Sequence, residues 1–63
     1  MLELMIECWT DPVEGDSFRW SLWDDGKRIA MGGPHDTVEE SEANAIALVE
    51  RRFGRRPDRI TRL

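Results

Sequence analysis

Sixty-three residues make one domain near the lower limit for independent folding, since a chain of this size buries only about 60% of the surface its unfolded form exposes. A single cysteine, Cys8, excludes an internal disulfide, and neither Cys8 nor His35 stands in the CxxC or HxxxH spacing of a zinc staple. The net charge of −4 is unevenly spread, with twelve acids against three bases in residues 1–50 and six arginines against Asp58 in residues 51–63; the acidic body opposes non-specific nucleic-acid binding, which draws its affinity from neutralised phosphates.

Met1–Trp9 (MLELMIECW) alternates as a first strand, with Leu2, Leu4, Ile6 and Cys8 on one face and Glu3, Met5, Glu7 and Trp9 on the other. Cys8 is expected to be a small buried hydrophobe in a reducing compartment. Thr10–Ser17 (TDPVEGDS) is a polar turn that returns the chain antiparallel. Phe18–Met31 (FRWSLWDDGKRIAM) then reads as a β-hairpin around Asp25-Gly26, a pair suited to the two positive φ angles of a type I′ turn. Taking those two as the loop sets Trp23 opposite Arg28, Leu22 opposite Ile29 and Trp20 opposite Met31. Phe18, Trp20, Leu22, Ile29 and Met31 would then share the core face, and Arg19, Ser21, Trp23, Arg28 and Ala30 the other.

Gly32, Gly33 and Pro34 are expected to end the third strand, and His35 to face solvent in the loop beyond it. Thr37 is a good helix N-cap with Glu40 three residues on, and the helix is expected over Val38–Phe53 with Gly54 at its C-terminus. Glu39 and Glu40 in the first turn and Arg51 and Arg52 in the last complement the helix dipole. Val38, Ala45, Ile46, Leu48, Val49 and Phe53 form the apolar face. Glu42 falls near its middle. It either reaches water beyond the sheet edge or is held under the sheet by Arg52, His35 or an indole N–H, because a buried carboxylate without a partner is expensive. Arg55-Arg56-Pro57 breaks the chain, and Arg59–Leu63 (RITRL) is available as a short fourth strand.

Little in the sequence points to catalysis. The one histidine, one cysteine and three serines fall in no nucleophile motif, and the Gly-Gly-Pro-His loop lacks the spacing and lysine of a phosphate loop. The tryptophans are more informative. A single helix covers one sheet face, so Met5, Trp9 and Trp23 would be left on the other, framed by Arg19, Arg28, Glu3 and Glu7; apolar patches of that kind mark interaction surfaces. The alternative is local coverage, with Trp23 stacked under Arg28 and Trp9 packed beneath the C-terminal tail. There is no signal-peptide pattern and no apolar run near the ~20 residues of a membrane helix, so a cytoplasmic location is expected.

From Phe18 onward, FRWSLWDDGKRIA followed by SEANAIALVERRF resembles the YegP-like small domain, whose pattern is FRFRL, a glycine turn, a third strand and a helix opening Ser-x-Ala-x-x. The likeness covers about two-thirds of the chain and implies a βββα fold without an established activity, often duplicated in tandem and known to form dimers. The chain departs from that pattern in Trp23, in Gly-Gly-Pro-His and in its arginine-rich tail. A second stretch resembles the plant AP2-type and integrase arm-binding domains, in which a GxRxxLG strand leads into TxEEA. Gly26, Arg28, Met31, Gly32, Thr37, Glu39 and Glu40 echo that pattern, with Ser41 in place of the alanine. This likeness implies a sheet laid in the DNA major groove with Arg19, Trp23 and Arg28 as readers, although Glu3, Glu7, Asp24 and Asp25 would crowd the same surface.

The expectation from these observations is a single α+β domain over residues 1–63: a three-stranded antiparallel sheet packed on one helix (β-β-β-α, with a short C-terminal strand available). It should act by binding rather than catalysis, with no cofactor, metal, small-molecule substrate or membrane. Its interaction face would be Met5, Trp9, Arg19, Trp23 and Arg28, and its partner another protein or a second copy in a weak homodimer. The alternatives are a DNA-binding domain using Arg19, Trp23 and Arg28, and a small acidic phage-type inhibitor occupying the site of a nucleic-acid-binding protein.

Overall fold

The computed structural model describes residues 1–63. The elements are β1 (Leu2–Asp11), β2 (Gly15–Asp24), β3 (Lys27–His35), α1 (Val38–Phe53) and β4 (Arg59–Arg62), in one sheet of order β3-β2-β1-β4. The first three strands are antiparallel, β4 runs parallel to β1, and α1 packs on one face. This is the expected α+β arrangement, completed by the short C-terminal strand. No helix is long and apolar enough to cross a membrane.

Local chemistry accounts for the turns and the helix ends. Asp25 and Gly26 both take positive φ, 48° and 83°, as a type I′ turn requires. The Thr37 hydroxyl accepts from the Glu40 N–H at 3.0 Å, and Gly54 closes α1 in the left-handed region with its N–H donated to the Glu50 carbonyl at 2.9 Å. The first hairpin is longer than its sequence indicates. Asp11 pairs with Gly15, leaving only Pro12-Val13-Glu14 as the loop. The Asp11 carboxylate accepts from the Val13 and Glu14 N–H groups at 2.8 and 3.1 Å, an Asx-type closure.

The core comprises Leu2, Leu4, Ile6, Trp20, Leu22, Ala45 and Val49, with Ala30, Val38, Ile46 and Leu48 packed at its margin. Ile29 and Met31 do not belong to it. Trp23 faces Arg28 as expected, but Leu22 then faces Ala30, Ser21 faces Met31 and Trp20 faces Gly32, because β3 carries one extra residue at Ile29. The physical reason is volume. The Trp20 indole lies so close over Gly32 that a Cβ there would sit 2.5 Å from the ring. Small partners, Ala30 and Gly32, leave room for Trp20 and Leu22 beneath a helix that itself presents Ser41 and Ala45. In the unbulged register Ile29 and Met31 would overfill that space. A second irregularity between Phe18 and Trp20 carries β3 through Gly32, Gly33 and Pro34, where the strand was expected to end, to His35 opposite Phe18. His35 is half-buried rather than solvent-facing, with Nε2 enclosed and unpartnered.

Cys8 is exposed, not buried. A 16-residue helix is about 24 Å long, whereas a 10-residue strand spans about 33 Å. The outer end of the β1–β2 hairpin therefore overhangs α1, and Cys8 lies on the overhang. Phe53, at the other end of α1, is 40% exposed, while Ser41 takes a fully buried place on the helix face.

The tail is ordered by its arginines. Arg62 grips Glu42 through two hydrogen bonds, Nε to Oε1 at 3.3 Å and Nη2 to Oε2 at 3.0 Å. Glu42 is thus satisfied from β4, and by none of the partners its sequence position brought forward. Asp58 fastens the start of the strand: its carboxylate accepts from the Leu2 N–H at 2.7 Å and from Arg55 Nη1 at 2.9 Å. The Leu2 bond first, and Arg55 second, hold the Asp58 carboxyl below the usual aspartate range. A depressed folded-state pKa contributes stability that is complete above the unfolded value, near 3.8, and is lost as pH falls through the folded one. Amide protection at Leu63, whose N–H donates to the Ile6 carbonyl at 2.8 Å, should therefore hold from neutrality to about pH 5 and fall away below about pH 4. Hydrogen exchange checks this: Asp58→Asn should lack the acid-labile step, and identical profiles for the two proteins would remove Asp58 from this role.

Candidate interaction face

The face of the sheet opposite α1 is covered by no element of the chain. Alternation along β1 and β2, together with their register, arranges it in rows. The first row crosses Arg28, Trp23, Glu3 and Arg59; the second crosses Met31, Ser21, Met5 and Thr61. Arg19 and Glu7 stand opposite each other in the third, and Ser17 and Trp9 in the fourth. All five residues expected to form an interaction face (Met5, Trp9, Arg19, Trp23 and Arg28) are therefore brought to one surface.

Their contacts differ from the expected ones. The cation–π pair is Arg19 over Trp9, with the guanidinium carbon 5.1 Å from the ring centroid, and not Arg28 over Trp23. Trp9 donates Nε1–H to Glu7 Oε2 at 3.2 Å, and Trp23 donates Nε1–H to Ser21 Oγ at 2.8 Å. The C-terminal tail does not cover Trp9, which is 54% exposed; β4 pairs only with Glu3–Ile6, further down β1. Each indole thus has its polar atom satisfied while a ring face stays in water, an arrangement common at protein interfaces.

Met31 joins the face, and sequence reasoning placed it in the core. The bulge at Ile29 turns it outward beside Trp23, where it is 61% exposed. With Ser21 as a short floor, Trp9, Trp23 and Met31 bound a shallow cleft of about 120 Å3, edged by Arg19 and Arg28. The signal for this was present in the sequence: Trp20 needs a small residue across the ladder, and Gly32 rather than Met31 supplies it.

Charge on this face is nearly balanced. Arg59 pairs with Glu3 at 3.8 Å, while neither Arg19 nor Arg28 takes part in an ion pair. The overhanging hairpin end is acidic. Asp11, Glu14, Asp16 and Asp36 surround a polar hollow of about 290 Å3 there, with His35 and Arg19 at its margin. The two N–H groups of Val13 and Glu14 that donate to it hold the Asp11 carboxyl below the usual range. No three His, Cys, Asp or Glu side chains converge in the manner of a metal site. Together the residues offer apolar contact area, two guanidinium groups outside any ion pair and satisfied indole N–H groups. No known family profile, curated protein or solved structure matches this chain.

Proposed function

We propose that this chain is a non-enzymatic binding module that recognises a protein surface through the open face of its sheet. The observation that carries this reading is the gathering of Trp9, Trp23, Met31 and Met5 on the one sheet face that the helix leaves bare, with Arg19 and Arg28 unpaired at its edge. Aromatic, methionine and arginine side chains are the residues enriched at interface centres, where they supply most of the binding energy. Glu3 and Glu7 on the same face favour a protein over nucleic acid, since phosphates would meet both carboxylates.

The test is capture on immobilised protein from a native-host lysate that includes the chain's own untagged copies. The wild type should retain a protein that Trp9→Ser/Trp23→Ser, with unchanged circular dichroism, releases. Capture that vanishes with nuclease treatment and falls steeply with salt would place nucleic acid on the face instead. Equal capture by both baits would exclude the face altogether.

A further inference from the structure

We infer that the outer rim of β4 takes up an acidic, extended peptide segment as a further strand of the sheet. This rim is separate from the open sheet face, and backbone geometry and charge together name its occupant. The order β3-β2-β1-β4 leaves one side of β3 and one side of β4 unpaired. β3 makes a poor template. Its register shifts at Ile29 and again between Gly32 and His35, and Pro34 has no N–H to offer.

β4 is regular: its four residues pair with Glu3–Ile6 without a shift. The Leu63 N–H donates to the Ile6 carbonyl at 2.8 Å, so Leu63, and by alternation Thr61, turn their backbone groups toward β1. Ile60 and Arg62 therefore turn theirs to the free side. The body of α1 lies over β1, β2 and β3. It meets β4 through Glu42 and Arg62, on the face of the sheet and not at its rim. A row of unpaired N–H and C=O groups on such a rim is a template for another extended chain.

Charge selects that chain. Residues 51–63 hold six arginines, no lysine and one acid. Arg51 and Arg52 lie in the last turn of α1, Arg55 and Arg56 in the loop leading into β4, and Arg59 and Arg62 on the strand. All six are exposed. Arg55, Arg59 and Arg62 are balanced by Asp58, Glu3 and Glu42, whereas Arg51, Arg52 and Arg56 enter no ion pair. Three uncompensated guanidinium groups thus stand where β4 begins. Rim charges deter a purely apolar strand, and like charge deters a second copy of the same rim. They attract an acidic strand, and the planar guanidinium fork suits carboxylates in particular. The register puts Arg59 and Thr61 on the open side of the sheet, and Ile60, 37% exposed, on the helix side beside Leu4. A segment alternating acidic and apolar residues therefore sets carboxylates beside Arg59 and apolar groups beside Ile60.

The probe is a blocked hexapeptide alternating glutamate and valine, titrated into isotope-labelled protein and followed through the amide resonances. It should bind with a Kd on the order of 100 μM, shifting the Ile60 and Arg62 amides. Hydrogen exchange at those two amides, fast in the free protein, should slow about tenfold at saturation. Arg56→Gln with Arg59→Gln removes two charges and sets none against Glu3. It should weaken binding about tenfold, while retained protection at Leu63 shows that β4 stays docked. Trp9→Ser/Trp23→Ser should bind the peptide as the wild type does, so failure of this rim and failure of the open face are read separately. Unmoved Ile60 and Arg62 amides at millimolar peptide would overturn the inference. Equal binding by a lysine–valine hexapeptide would remove the charge selection. Equal binding by the acidic peptide with alternate amides N-methylated would remove the strand pairing. A single-stranded oligonucleotide that shifts Arg51, Arg52 and Arg56 and displaces the peptide would make this a phosphate site instead.

Discussion

Trp20→Ala should unfold the domain or bring it to the edge of unfolding. Trp20 is 3% exposed and shares a core of only seven buried apolar side chains with Leu2, Leu4, Ile6, Leu22, Ala45 and Val49. Truncating a core aromatic costs about 3–5 kcal/mol, the lost transfer energy plus the cavity left behind. That equals the whole margin, about 3–5 kcal/mol, that one core rarely exceeds in a chain under ~70 residues. The cavity has little scope to collapse. β2 is paired on both sides, and the facing positions on β3 are Ala30 and Gly32, which have no side chain to swing into the gap. Trp20→Phe should be milder than ring size alone implies, because it also removes a buried Nε1–H that has no acceptor. Trp23→Ala should cost much less, about 1 kcal/mol, since it removes a half-buried ring and one exchangeable hydrogen bond from the open face. Urea unfolding of the three variants decides it: equal losses for Trp20→Ala and Trp23→Ala would contradict the division of the sheet into a covered and an open face.

Much of this architecture is legible in the sequence where the determinant is local. Asp25-Gly26 is read correctly because few pairs tolerate two positive φ angles. Thr37 and Gly54 mark the helix ends because unpaired backbone groups there must be capped. Leu2, Leu4 and Ile6 alternate inward as a strand with one covered face must. What escapes is set by the fit between elements. Cys8 follows the same alternation but lies past the end of the helix, so its exposure depends on the relative lengths and placement of two elements. Glu42 finds Arg62 twenty residues away, a partner that exists only once the chain has crossed back to lay β4 beside β1. The exchange of Met31 for Ala30 on the core face comes from a single added residue at Ile29, and one residue is enough to invert every side chain beyond it. Four of the five candidate site residues lie on β1 and β2, whose registers carry no such insertion. Arg28 precedes the bulge. Met31, which follows it, is the member that sequence reasoning missed.

The bulge makes its own prediction at Gly32, and the effect is large for so small a change. An added Cβ would stand 2.5, 2.6 and 2.7 Å from Trp20 Cζ2, Cε2 and Nε1, closer than carbon and nitrogen atoms approach without bonding. Gly32 does not have the positive φ found at Gly33, where φ is 111°, so alanine fits the backbone and the cost of Gly32→Ala is purely the collision. The indole is 3% exposed within the core under α1, so overpacking should cost about 1–3 kcal/mol, a large part of what this domain possesses. Gly32→Val should be worse. The collision disappears if the ring does. In a Trp20→Leu background, itself destabilised, Gly32→Ala should cost nothing further and should gain about 0.4–1 kcal/mol by restricting the unfolded chain. Denaturant unfolding of the four proteins of this cycle should give a coupling energy of about 1–3 kcal/mol between positions 20 and 32. Were β3 paired without its extra residue, Met31 would face Trp20 and Gly32 would lie off that pairing, so Gly32→Ala would carry the same cost in both backgrounds. A coupling near zero would thus refute the bulged register, and with it the placement of Met31 on the open face.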